Sequence, residues 1–159
     1  MKKRFSCLTI ALVLFSGCYR AKPPMPETPF FRDFSLASVV EGMRIPELHP
    51  QQGGSGKSET FADPVRRRRN FDLTYSIDER NEARFDQQRF IKQLNVAVEK
   101  LVSDSGLRVD GRASSADNFQ LDYSQSEYSG SLDISGTRAE GNQLRLYAVI
   151  REVAQDQKP

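Results

Sequence analysis

Residues 84–105, RFDQQRFIKQLNVAVEKLVSDS, decide the fold. Phe90, Ile91, Leu94, Ala97, Val98, Leu101 and Val102 recur at intervals of three and four, which places them on one face of an α-helix. Gln87, Lys92, Glu99 and Lys100 face away, and Gly106 stands where a helix stop belongs. An amphipathic helix needs a surface to lie on, and the flanking sequence supplies one. Phe71, Leu73, Tyr75 and Ile77 alternate with Asp72, Thr74, Ser76 and Asp78, the period of a half-buried strand. Downstream, residues 107–110, 119–123, 128–137 and 144–150 read as four more strands, the last two joined by a turn at 139–142 into an antiparallel hairpin. The order β-α-β-β-β-β predicts an α+β domain over residues 71–155. One amphipathic helix packs on a mainly antiparallel sheet of about five strands. The last strand is apolar on both sides, since Tyr147 and Val149 alternate with Leu146, Ala148 and Ile150. Tyr147 and Val149 are therefore expected to be covered by another segment or to form a patch for a partner.

Residues 18–70 read differently. Pro23, Pro24, Pro26, Pro29, Pro46, Pro50 and Pro64 fall here, and residues 51–58 (QQGGSGKS) have flexible-linker composition. Such a stretch buries too little apolar surface to offset its ordering entropy. The expectation is a disordered tether of about 50 residues, spanning roughly 40 Å as a coil. Within it, residues 30–43 carry Phe30, Phe31, Phe34 and several aliphatics. They are expected to form a short element that docks on the domain, with Tyr147 and Val149 as the surface it covers.

The first 18 residues have a separate meaning. Lys2, Lys3 and Arg4 form a positive n-region, and residues 5–15 (FSCLTIALVLF) form an apolar stretch of signal length, too short to span a bilayer stably. Ser16-Gly17-Cys18 follows directly. This junction resembles the lipobox of bacterial lipoproteins, with Phe15 where the pattern usually has Leu. The resemblance covers about 20 residues, the size of an export signal. It implies that residues 1–17 are removed and that Cys18, bearing lipid, becomes the first residue of the mature chain. It also implies the cell envelope as location. Tyr19 stands where inner-membrane lipoproteins commonly carry Asp, which favours the outer membrane, facing the periplasm.

Removing residues 1–17 changes the charge. The whole chain has 23 Lys plus Arg against 21 Asp plus Glu; without Lys2, Lys3 and Arg4 the balance is 20 against 21. The basic character belongs largely to the signal and argues for no nucleic-acid partner. Cys18 is then the only cysteine, which excludes an internal disulfide, and acylation accounts for a lone thiol in an exported protein.

Two motifs point to less than they suggest. Residues 53–58 (GGSGKS) resemble the tail of a phosphate-binding loop, but Gln51 stands where the motif needs its first Gly, and Pro50 and Pro64 flank it. No nucleotide is expected. Arg66, Arg67, Arg68 and Arg69 form a run of four cations, either solvated residues opening the first strand or a contact for anionic headgroups or cell-wall polymers. With Tyr147 and Val149 they are the candidate partner contacts.

No catalytic constellation rises above background. His49 is the only histidine, so no His-based metal site or triad is expected. There is no Gly-x-Ser-x-Gly elbow. Asp122 and Asp133 could pair as glycosidase carboxylates, but they sit on alternating strand positions where solvated faces normally carry charge. The expected function is a non-enzymatic, lipid-anchored interaction or assembly module, with no cofactor or metal, acting on another envelope protein through a sheet edge or the last-strand face. The alternatives are a small-ligand or lipid-binding protein with a pocket between helix and sheet, and a cell-wall hydrolase.

Overall fold

The long helix forms where its periodicity places it. In the computed structural model, which describes residues 27–51, 57–62, 65–78, 80, 84–125 and 127–155, it spans Gln87–Asp104. The expected signal, Cys18 and residues 19–26 lie outside the described residues. The Asp86 side chain caps the helix, accepting from the Arg89 N–H at 3.0 Å. Gly106 ends it with φ of 73°, a left-handed conformation that costs glycine little. Phe90, Ile91, Leu94, Val98 and Val102 are buried on the predicted face.

This helix is the third of three among the described residues. In chain order the elements are α1 (Pro29–Asp33), α2 (Leu36–Met43), β1 (Leu48–Pro50), β2 (Lys57–Ala62), β3 (Arg66–Ile77), α3 (Gln87–Asp104), β4 (Arg108–Ser114), β5 (Asn118–Gln125), β6 (Tyr128–Ala139) and β7 (Gln143–Ala154). The strands form one antiparallel sheet ordered β1-β3-β7-β6-β5-β4, with β2 also on β3. The β6–β7 hairpin is as predicted. It turns through Gly141 and Asn142, both with positive φ, and Asn142 also lends its carbonyl to the Ile77 N–H at 2.7 Å.

Among the described residues the sheet has seven strands, not about five, and the order is α-α-β-β-β-α-β-β-β-β. The difference comes from the segment read as a disordered tether, which the described residues from 27 onward contradict. β1 and β2 both pair with β3 along one side, β1 with its C-terminal half and β2 with its N-terminal half. Backbone ladders ignore side-chain polarity, so an edge strand of polar composition escapes a search for apolar alternation. β3 likewise begins at Arg66, five residues before the expected start at Phe71.

Residues 30–43 dock as expected, but on the other face of the sheet. Phe30, Phe31, Phe34, Leu36 and Val40 are all buried, beside α3 and not over Tyr147. Phe30 meets the Tyr123 ring edge-on at 5.2 Å, and Phe34 meets Phe71 at 5.3 Å. Burying each such side chain contributes roughly 1.5–3 kcal/mol, which a free tether would forgo. The three helices thus cover one face, over Phe71, Tyr75, Phe119, Leu121, Leu132, Ile134, Leu144, Leu146, Ala148 and Ile150. The fold is a two-layer α+β sandwich, and among the described residues nothing covers the second sheet face.

Candidate functional site

A strand sends alternate side chains to opposite faces, and that rule divides the arginine run. Arg67 and Arg69 point to the helix side, Arg66 and Arg68 to the open side. Arg69 is half-buried. It donates to the Phe31 and Arg32 carbonyls at 3.1 and 2.8 Å and stacks on the Phe71 ring at 4.7 Å. Arg67 is 1% exposed and pairs with Glu152, which is fully buried. The run is therefore not a single solvated patch.

The Glu152 carboxylate is enclosed by donors. Arg67 Nε reaches Oε2 at 2.7 Å and Arg67 Nη2 bonds the same oxygen. Thr28 Oγ1 donates to Oε1 at 2.8 Å and Tyr123 OH at 3.0 Å. The guanidinium also lies over the Phe31 ring at 4.8 Å and the Tyr128 ring at 5.4 Å. Thr28 serves twice, since its side chain also caps α1 by accepting from the Phe31 N–H at 3.1 Å. Opposite Tyr123, position 130 must be glycine. A Cβ there would sit 2.6 Å from the tyrosine Cζ and 2.7 Å from the Arg151 carbonyl oxygen. One sequence signal marks this cluster: Glu152 is an acid in the otherwise apolar inward register of β7, a position that the candidate residues named from sequence do not include.

Burial pushes the Tyr123 phenol far above its ordinary range, with the Glu152 charge and hydrogen bond adding to it. Burial also pushes Tyr75 up, to about 12, with Glu41 contributing. A raised folded-state pKa means stability that is fully present below the unfolded value, near pH 10, and is lost as pH rises through the folded one. Of the five tyrosines, Tyr75 and Tyr123 are expected to give phenolate absorbance only above about pH 12 or as circular dichroism reports unfolding. Ionisation of Tyr75 and Tyr123 near pH 10 with the fold intact would overturn this assignment.

The open face carries Arg66, Arg68, Asn70, Asp72 and Thr74 from β3, and Arg145, Tyr147, Val149, Arg151 and Val153 from β7. Phe61 of β2 stands beside Arg68, and Arg68 stands beside Arg151. Arg145 is paired to Asp72, with Nε to Oδ1 at 2.8 Å, and Arg151 to Asp133. Arg68 bonds Asn70 at 2.7 Å and the Tyr147 hydroxyl at 3.4 Å. Tyr147 is exposed and not covered by residues 30–43 as first expected, while Val149 is 3% exposed and offers no contact surface. It lies in register between Asn70 and Asp133 in the middle of the sheet, enclosed by longer side chains.

Two recesses open on this face. One, of about 520 Å³, lies among Phe61, Arg66, Arg68, Asn70, Arg151 and Val153, with Thr60, Arg67 and Glu152 at its margins. The other, of about 260 Å³, includes Gln120, Asp133, Ser135, Tyr147, Val149 and Arg151. Of the acids weighed for hydrolysis, Asp122 accepts from Gln120 Nε2 at 2.9 Å, and Asp133 is held by Arg151. His49 is on β1, exposed, with its carbonyl accepting from Ser76 Oγ at 3.3 Å. Among the described residues no three potential metal ligands converge, and no helix is long and apolar enough to cross a membrane. Compared with known proteins, the chain matches no family model, no curated protein and no solved structure.

Proposed function

We propose that this protein is a lipid-anchored lipoprotein of the bacterial cell envelope that acts without catalysis, as a docking module for another envelope protein. The observation that carries the docking reading is the uncovered sheet face. All three described helices lie on the other side. Among the described residues, Phe61, Tyr147 and Val153, three of the five large exposed apolar side chains, lie on this face, and Val65 sits at its rim. Exposed apolar side chains interleaved with arginine suit a protein interface.

The face is favoured over the edge. β4, at one end of the sheet, presents Arg108, Asp110 and Arg112, and its register shifts between Val109 and Gly111. Charges and a bulge are the devices that blunt edge pairing. The ligand-binding alternative draws less support, because the helix–sheet interface is filled by Leu94, Val98, Leu121, Leu132 and Leu146, each with no exposed surface. The anchor rests on the Ser16-Gly17-Cys18 junction and the lone thiol of the processed chain.

A photo-crosslinking residue in place of Tyr147, in the full-length protein in its own cells, tests the docking reading. A discrete crosslinked species is expected from position 147 and not from Val96, which is 67% exposed on α3. The same pattern from both positions, or none from position 147, would remove the assignment.

A further inference from the structure

We propose that the open face takes its protein partner by a carboxylate: an aspartate or glutamate of the partner, flanked by apolar residues, enters the recess between Phe61 and Arg151 and pairs with Arg68. The inference rests on the docking reading above and adds the chemistry of the partner to it.

Strand register creates the site. Phe61 of β2, Arg68 of β3 and Arg151 of β7 stand opposite one another in a single row across the sheet. That row sets two guanidinium groups side by side. Like charges directly opposite destabilise a sheet, and the other exposed arginines nearby are each answered by an acid. Arg151 turns to Asp133, Arg145 to Asp72, and Arg108 to Asp110. Arg68 is exposed and differs from them. Its partners are the Asn70 side-chain oxygen at 2.7 Å and the Tyr147 hydroxyl at 3.4 Å, both neutral. These two bonds orient the guanidinium without neutralising it. Five N–H donors are available on a guanidinium, so several remain for a carboxylate. Arg66 makes contacts of its own and has no part in the proposal.

The surroundings suit an acidic residue carried on an apolar segment. The recess holds about 520 Å³, and Phe61 and Val153 line it beside Arg68, Asn70 and Arg151. This lies within the usual size of a ligand pocket, about 300–1,000 Å³, so neighbours of the acid can enter with it. Phe61 and Val153 are 57% and 48% exposed. Covering them excludes water from the ion pair and strengthens it. An arginine held in place and ringed by apolar contact is a common centre of binding energy in protein interfaces, and it meets a carboxylate through two parallel bonds. A basic segment would instead meet two arginines and one acid, Asp133, that is already paired.

Crosslinking reads the proposal in the full-length protein in its own cells. A photo-crosslinking residue in place of Val153 is expected to give a discrete adduct. Arg68→Glu should lower its yield at least about tenfold, as loss of one member of a desolvated charge pair does. Arg68→Gln, which repels no acid, should lower it less. Arg108→Glu makes the same change in net charge on β4, at the far edge of the sheet, and should leave the yield at the parental level. Circular dichroism reports whether Arg68→Glu folds, and if it does not, Arg68→Gln decides. The crosslinked peptide locates the partner's acid, and its replacement by arginine should restore the adduct to Arg68→Glu. An adduct indifferent to both Arg68 variants, a loss matched by Arg108→Glu, or a crosslinked segment without an acid would overturn the carboxylate pairing while leaving docking in place. No adduct from the parent at position 153 or 147 would remove the docking reading and this inference with it.

Discussion

Replacing Arg67 with methionine is expected to lower stability by about 3–5 kcal/mol, the usual cost of leaving one partner of a buried ion pair alone. At several degrees per kcal/mol for a domain of this size, the melting temperature should fall by about 10–20 °C. The size follows from what remains. Glu152 has no exposed surface, and without Arg67 its carboxylate keeps the Thr28 and Tyr123 hydroxyls, two neutral donors, within a low-dielectric interior. Methionine refills most of the volume between the Phe31 and Tyr128 rings, so the loss reports charge and not a cavity. The double variant Arg67→Met/Glu152→Leu separates the two. Removing both charges is expected to cost less than removing Arg67 alone, because desolvation of the pair offsets much of its attraction. Chemical denaturation of the three proteins gives the comparison. A single variant within about 1 kcal/mol of the parent, or a double variant worse than the single, would show that the pair does not hold this end of the sheet.

The second large effect concerns location. On the lipoprotein reading, Cys18 is expected to hold the protein on the membrane almost irreversibly. Each buried methylene contributes about 0.8 kcal/mol, so two acyl chains of about 15 methylenes contribute roughly 24 kcal/mol. On that reading, lipid decides attachment. A Cys18→Ser chain, exported by an ordinary cleavable signal, is expected in the soluble envelope fraction and without incorporated palmitate. The parent should remain in the membrane fraction after washes in salt and carbonate. A Cys18→Ser chain still retained after those washes would place the anchor elsewhere.

How much of this was legible depended on whether a residue announced its face. In α3, apolar and polar residues alternate with helical period, and the buried side chains Phe90, Leu94 and Val98 follow directly. The β6–β7 hairpin was readable for the same reason. The arginine run carries no such contrast: four identical side chains cannot display a period of two, yet the strand divides them between faces. Arg67 could have been placed only through Glu152, 85 residues away in sequence. β2 was illegible because its place is set by the backbone ladder to β3. Residues 30–43 were legible as a docking element from their three phenylalanines and aliphatics, and what was misjudged was the face they cover and the order of the residues around them. The prolines before and after them suggested a linker, although Ser35 caps α2 and Thr28 caps α1 as in any folded domain. At the open face, Tyr147 was found from its alternation, while Val149 was misplaced because register says which face a residue occupies and not how tall its neighbours are.

The double bond made by Thr28 has a mechanical consequence. On the lipoprotein reading, a pull from the anchor reaches the described part of the fold beside this residue. There the load divides between the first turn of α1 and the carboxylate of Glu152, which stands on β7, an inner strand of the sheet. The strain is borne by a hydrogen-bonded clamp backed by Phe30, Phe31 and Phe34, and not by a peeling edge strand. On that reading, a domain held at Thr28 resists a pull without unravelling from the end by which it is held.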